Sequence, residues 1–213
     1  MRVGIFGGTF NPPHFGHLRL AEEVVETHNL ELVVFMPCHI PPHKESNAME
    51  IAPAEDRLEM TKKACQGNPR FEVSDLEIHS EGPSYTVNTL AVLSRDRGCE
   101  PFFILGTDSL QELHTWKDYE RLFTLSHFIS VTRPGIEFLA AWNELPERVR
   151  SRFRYSGDSF VHESGHAVIP SRVKGLDVSS TQVRNLLHDG RSVRYLIPEE
   201  VRMYIQEKKL YGK

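Results

Sequence analysis

Gly7-Gly8-Thr9-Phe10-Asn11-Pro12-Pro13-His14-Phe15-Gly16-His17 follows a short apolar run, Val3 to Phe6, and precedes a helical pattern that begins near Phe15. A strand, a glycine turn and a helix start in that order spell a phosphate-binding junction. The glycines let the main chain approach a ligand with no Cβ in the way. The helix start offers unpaired N–H groups at the positive end of its dipole. His14 and His17 add side-chain donors one helical turn apart. Pro12 and Pro13 stiffen the turn and fit ahead of a helix rather than inside it. Gly7-Gly8 alone would read as an ordinary tight turn, and the histidines alone as a surface pair; the whole string favours an anion. The junction is not spelled G-x-G-x-x-G, and no G-x-x-x-x-G-K-[ST] occurs in the chain.

The 213 residues suffice for a sizeable core and are read as a single domain, 1–213. Hydrophobic content of 39% and charged content of 25% are ordinary for a globular protein. No apolar run approaches the ~18 residues of a membrane span, and the first residues enter a strand at once, so neither a membrane partner nor a signal peptide is expected. Three widely spaced cysteines, Cys38, Cys65 and Cys99, suggest reduced thiols and a cytoplasmic protein. A net charge of −4 argues against nucleic acid as a partner. Cations nevertheless gather at loops and helix starts: His14, His17, His39, His43, Lys44, Arg133 and Arg184. That distribution suits a small anionic ligand.

Further along, residues 15–28 keep the spacing of an amphipathic helix through Leu18, Ala21, Val24, Val25 and His28. Leu32 to Met36 reads as a buried strand that opens into a loop of prolines and cations, Cys38 to Lys44. Pro53 starts a helix running to about Gly67, and Phe71 to Ile78 alternates like a strand. Gly82 to Thr86 turns into a helix closed by Gly98. Phe102 to Leu105 is a strand stopping at Gly106-Thr107-Asp108, before a helical stretch that carries Leu110, Leu113 and Trp116. His127 to Thr132 is a strand stopping at Arg133-Pro134-Gly135. Strands alternating with helices imply an α/β fold with a parallel sheet and ligands at the carboxyl ends of its strands. Residues 136–176 are the least legible: Glu137 to Arg154 looks helical, with Pro146 a break or new start.

Val178-Ser179-Ser180-Thr181-Gln182-Val183-Arg184 starts another helix, ending at Gly190. Ser179 or Ser180 is a natural N-cap. Hydroxyls beside free N–H groups can hold phosphate oxygens, and Arg184 lies one turn further on, where its fork can reach an oxygen pair. On this pattern alone a plain helix cap with a surface arginine stays open.

The first string resembles the signature of the nucleotidyltransferases related to class I aminoacyl-tRNA synthetases, which carry H-x-G-H after the first strand; here it is His14-Phe15-Gly16-His17. More closely, the chain resembles the bacterial nicotinate-nucleotide adenylyltransferases over about residues 2–135 and 178–211. That resemblance implies a Rossmann-like, doubly wound, mostly parallel sheet flanked by helices. It implies transfer of AMP from ATP to nicotinate mononucleotide, giving nicotinate adenine dinucleotide and pyrophosphate. His14, His17 and Arg184 are then the catalytic candidates, with Gly8, Thr9, Phe10, Ser179, Ser180 and Thr181 completing the ATP contacts. His43 and Lys44, in Ile40-Pro41-Pro42-His43-Lys44, match a phosphate-meeting loop. Ser84-Tyr85-Thr86, Asp108, Trp116 and Arg133 match the mononucleotide side, with Trp116 as a platform for the ring. Mg2+ is implied as a passenger of ATP, with no metal site of the protein's own. The chain departs from the pattern at Asn11, where relatives usually carry Asp, and at Lys117, where many carry Tyr.

Four rival readings draw on parts of the same sequence. Phosphopantetheine or nicotinamide mononucleotide adenylyl transfer would use the same two clamps, and so would a non-catalytic nucleotide-binding module. His162-Glu163-Ser164-Gly165-His166 also spells H-E-x-x-H, but zinc-hydrolase chemistry needs a stable helix there, and Gly165 and Pro170 oppose one.

Overall fold

A computed structural model describes residues 1–40, 51–80, 82–95, 98–132 and 137–212. The first half-sheet is built from β1 (Arg2–Gly8), α1 (Phe15–His28), β2 (Leu32–Pro37), α2 (Ala54–Cys65) and β3 (Phe71–Val73). The chain then crosses back through α3 (Thr86–Leu93) to β4 (Glu100–Gly106), α4 (Thr107–Gln111), α5 (Tyr119–Leu122) and β5 (His127–Thr132). Next come α6 (Phe138–Glu144), α7 (Glu147–Arg150), β6 (Phe153–Ser156), β7 (Ser159–His162) and β8 (Ala167–Arg172). Two helices close the chain, α8 (Ser180–His188) and α9 (Glu199–Lys208).

The eight strands form one sheet in the order β3-β2-β1-β4-β5-β8-β7-β6. Pairing is parallel from β3 to β8, and β7 runs antiparallel to both β8 and β6. Strand order therefore reverses between β1 and β4, where the crossovers leave in opposite directions. A crevice opens at the carboxyl ends of strands at such a switch point, and Gly8 and Gly106 mark those ends here. The α/β, mostly parallel architecture expected from the alternation is the one observed.

Period-two alternation splits the core between two faces. Val3, Ile5, Phe103 and Leu105 face a layer that contains Leu90, Leu110, Leu122 and Trp142. Phe6, Phe35, Phe102 and Ile104 face Ala21, Val24 and Val25 of α1. Gly4 belongs to the second face, where a Cβ would lie 2.8 Å from Val33 and 2.9 Å from Leu30, so β1 admits no side chain there. A third cluster, including Met60, Val183, Val201 and Ile205, fixes α8 and α9 against α2. No helix among the described residues is long and apolar enough to cross a membrane.

Several local expectations are corrected. The strand expected over 71–78 stops at Val73. The Ser74 hydroxyl accepts from Leu76 N–H, and the Asp75 carbonyl accepts from Ile78 and His79, which curls the chain out of the sheet. The helix expected to run to Gly98 ends at Leu93. The helical stretch before Trp116 is broken: α4 ends at Gln111, a 3-10 turn covers Leu113–Thr115, and Trp116 itself is extended. Helix over 137–154 is two short pieces parted by Pro146, and Phe153 already belongs to β6. His162 ends β7 and His166 precedes β8, so H-E-x-x-H lies on a hairpin turn, with His162 N–H donating to the His166 carbonyl at 2.7 Å.

Candidate active site

The loop from β1 to α1 is set by packing before any ligand contact. Phe10 takes a left-handed backbone (φ 47). Its ring is buried, with centroids 5.6 Å from Phe6, 5.7 Å from Phe35 and 5.1 Å from His17. His14 is the N-cap of α1, and its ring stacks on His17 with centroids 3.6 Å apart. His14 N–H donates to His17 Nδ1 at 3.2 Å. With Nδ1 accepting, the neutral ring carries its proton on Nε2. His17 is thereby prepared as a fixed donor.

The second clamp meets the first. Ser179 caps α8 by accepting from Gln182 N–H at 3.1 Å. Ser180 Oγ donates to the Pro12 carbonyl at 2.8 Å. Arg184 donates to the Asn11 carbonyl at 3.0 Å and to Thr181 Oγ1 at 3.3 Å. Sequence positions 168 and 173 residues apart are joined by these bonds. The starts of α1 and α8 share a cleft of about 380 Å³, lined by His14, His17, Val131, Thr132, Leu176 and Ser179 among others. The wall from Val173 to Asp177 was not singled out by sequence, because it shows no periodicity.

A second cleft, of about 530 Å³, lies across the tip of β1. Gly7, Gly8 and Thr9 line it, facing Ser84, Tyr85 and Thr86 at the start of α3. Trp116 is half-buried and meets Phe103 edge-on, centroids 6.1 Å apart, and Lys117 Nζ sits 4.4 Å above the Tyr85 ring. Ser84 is held from two sides: its hydroxyl accepts from His39 N–H at 2.9 Å and donates to Glu77. Thr89 Oγ1 donates to the same carboxyl at 2.5 Å. Burial pushes the Glu77 carboxyl above the usual carboxylate range, with the Thr89 and Ser84 hydroxyls pulling the other way. Asp108 is exposed at the tip of β4, its carboxylate over Gly106, where a Cβ would lie 2.1 Å from Oδ1. Ser109 and Thr115 line the cleft from that side. His43, Lys44 and Arg133 lie outside the described residues.

Two organising residues were missed. Arg57 is buried at 1% exposure and donates to four carbonyls: Cys38 at 2.7 Å, His39 at 2.8 Å, and Thr9 and Ala52 at 3.0 Å. It ties the tips of β1 and β2 to the start of α2, and the four acceptors offset the cost of burying its charge. Its signal was a cation on the apolar stripe of α2, in register with Thr61 and Ala64. Asn11 is likewise buried: Oδ1 accepts from Ala52 N–H at 3.0 Å and from Tyr211 OH at 2.6 Å. At this departure from the resembled pattern the amide oxygen takes part in the loop contact.

A family model described as cytidylyltransferase-like matches residues 5–186. A chain of Desulfatibacillum aliphaticivorans named "Probable nicotinate-nucleotide adenylyltransferase" is 44% identical over 225 residues, covering 99% of this chain and 100% of its own. A chain of the same name from Geobacter metallireducens is 45% identical over 216 residues, covering 99% and 98%. Among solved structures, a Plasmodium falciparum nicotinic acid mononucleotide adenylyltransferase complexed with NaAD superimposes with a TM-score of 0.74 at 17% identity, covering 99% of this chain and 97% of that one. At that identity the likeness is one of fold.

Proposed function

This chain belongs to the cytidylyltransferase-like family, and from that premise we propose that it adenylylates nicotinate mononucleotide. The mononucleotide phosphate oxygen attacks the α-phosphorus of ATP, the bond to the bridging oxygen breaks, and pyrophosphate leaves, yielding nicotinate adenine dinucleotide. The observation that carries this reading is the bonding of Ser180 and Arg184 to the Asn11–Pro12 turn, which unites two helix starts over one cleft. Fixed N–H groups and dipoles suit a triphosphate, because they need little reorganisation as charge shifts toward the leaving oxygens.

ATP then occupies the cleft of His14, His17 and Ser179, with its base toward Val131, Val173 and Leu176. His17 serves the reacting phosphate through Nε2–H. His14, Ser180, Thr181 and Arg184 hold the departing pyrophosphate, and main-chain groups of Gly8, Thr9 and Phe10 form the floor. Nicotinate mononucleotide takes the other cleft, its ring against Trp116 and near Tyr85 and Thr86. The tip of β1 lines this cleft and leads through the β1–α1 loop to His14 and His17 in the other, so the two phosphates meet at that loop. In this arrangement Ser84 shapes the ring site through Glu77 and His39, and Asp108 meets the mononucleotide from the tip of β4.

Mg2+ supplies charge neutralisation on the ATP phosphates when bound. The polar groups lining the cleft include the His14 and His17 imidazoles, the Thr132 and Ser179 hydroxyls, the Lys174 ammonium and a single carboxylate, Asp177, a set that suits phosphate oxygens better than a resident Mg2+. The ion is therefore assigned to the nucleotide. A cytoplasmic setting belongs to the same proposal and agrees with three free cysteines.

The test is pyrophosphate release from ATP and Mg2+ with nicotinate mononucleotide, run beside nicotinamide mononucleotide and phosphopantetheine. Release highest with the nicotinate substrate is expected. Release with phosphopantetheine alone, or with none of the three, would overturn the assignment.

A further inference from the structure

Resting on the adenylyl-transfer reading, we infer that Tyr211, beyond the last helix, is a positioning residue that acts through Asn11 to hold His14 and His17 in place for phosphate transfer. Its hydroxyl donates to Asn11 Oδ1 at 2.6 Å, across 200 residues of chain. The backbone bends twice to bring it there. Lys209, the C-cap of α9, takes a left-handed conformation (φ 53), and Leu210 N–H donates to the Ile205 carbonyl at 3.0 Å. Tyr211 itself is left-handed as well (φ 60). That region is unfavourable for a bulky L-residue and persists only where surrounding contacts enforce it. Here they are the packing of the Tyr211 ring against the cluster of Met60, Val183, Val201 and Ile205, and the bond from its hydroxyl. Burial pushes the phenol up, with the charges of Arg184 and Arg57 opposing, so the hydroxyl keeps its proton and remains a donor.

The receiving end is strained too. Phe10 is left-handed, and Asn11 beside it is buried. Bonds from three other parts of the fold converge on the Asn11–Pro12 turn. Arg184 and Ser180 of α8 donate to its two carbonyls, and Ala52 N–H, ahead of α2, shares Asn11 Oδ1 with Tyr211 at 3.0 Å. An oxygen held by two donors resists rotation, so this pair fixes how the Asn11 side chain is turned. Pro12 and Pro13 pass that orientation on with little slack, because each ring locks φ. His14 follows at once, capping α1 and donating its N–H to His17 Nδ1 at 3.2 Å. Removing the Tyr211 hydroxyl would loosen the first link of this series and leave the ring packing in place. A misplacement of ~1 Å at a reacting centre costs on the order of 100-fold in rate, and a partial loosening costs less.

The experiment compares wild type, Tyr211→Phe, Asn11→Ala and the double variant in pyrophosphate release with nicotinate mononucleotide. Ring-nitrogen NMR of the histidines in the free protein accompanies it. Tyr211→Phe keeps the ring and so the packing of its segment. It is expected to lower kcat about tenfold, to leave both KM values within about twofold, and to shift the His17 Nδ1 resonance. In the Asn11→Ala background the same change should have no further effect. A kcat equal to wild type, or an equal loss with and without Asn11, would overturn the inference. So would a change confined to the thermal midpoint, which would assign Tyr211 to stability alone. A wild type that releases no pyrophosphate would overturn the reaction assignment instead. The His17 resonance of Tyr211→Phe then decides the coupling by itself: shifted supports it, unshifted overturns it.

Discussion

Arg184 Nη1 donates to the Asn11 carbonyl at 3.0 Å, bonding α8 to the turn that carries His14 and His17. This bond fixes the distance between the two anion-binding helix starts before ATP arrives, and the guanidinium lines a neighbouring cleft together with Ala52, Asn185 and Tyr211. Arg184→Ala should therefore lower kcat/KM for ATP by roughly 100-fold, the scale of one lost donor to a transition-state phosphate. The KM for nicotinate mononucleotide should stay within about twofold, because Arg184 does not line the ring cleft. Steady-state kinetics with each substrate varied in turn decides it. Equal losses toward both substrates would mean that Arg184 only holds the loop.

His17 is fixed as an Nε2–H donor by the bond its Nδ1 accepts from His14. His17→Ala should reduce kcat by 10²–10³ at saturating substrates, as for one oxyanion donor. His17→Asn keeps an amide N–H on a shorter arm and should recover part of the loss. Should kcat survive while only the KM for ATP rises, His17 binds ground-state phosphate and takes no part in the transition state.

Arg57 is the residue on which both clefts depend most indirectly. Arg57→Met would leave the carbonyls of Thr9, Cys38, His39 and Ala52 without this donor. A destabilisation of about 3 kcal/mol is expected, since buried acceptors lose their partner at once. Urea unfolding with unchanged m-value would measure it. A midpoint equal to that of wild type would show that the loops repack without the guanidinium.

What the sequence made legible was local. The β1–α1 junction and the start of α8 announce themselves through glycines, prolines, histidines and hydroxyls set at fixed offsets from a helix start. β1, β2, β4 and β5 read as apolar runs because both of their faces are covered. The hairpin of β6 to β8 did not read as such: Phe153–Ser156 and Ser159–His162 are four residues each, and they join the sheet only through β8, whose other partner, β5, is far away in sequence. Arg57 and Glu77 were hidden for another reason. Charged residues are ordinarily exposed, and only the tertiary arrangement of carbonyls or hydroxyls reveals that these two are inside.

A last prediction concerns acid stability at the end of the sheet opposite the clefts. His127 stacks on Phe102, lies 3.2 Å from Glu100, and has His166 at a ring distance of 5.0 Å. Burial, then the charges of His166 and Arg2, hold it below the ordinary histidine range, and Glu100 opposes them only in part. Burial depresses His28 and His166 too, with Arg2 adding to the effect at His28 and Glu100 opposing it at His166. A depressed histidine stays neutral in the folded chain while the unfolded chain takes up its proton near pH 6.5. Above that pH neither state is charged at these sites, and they contribute no pH dependence. As pH falls below it, the unfolded state binds more protons and stability declines until the folded-state values are passed. The thermal midpoint should thus be flat from about pH 8 to 7 and fall between about pH 6.5 and 5. His127→Gln, which cannot be protonated, should shallow that slope. An identical slope in the variant would mean that the proton uptake driving acid unfolding occurs elsewhere.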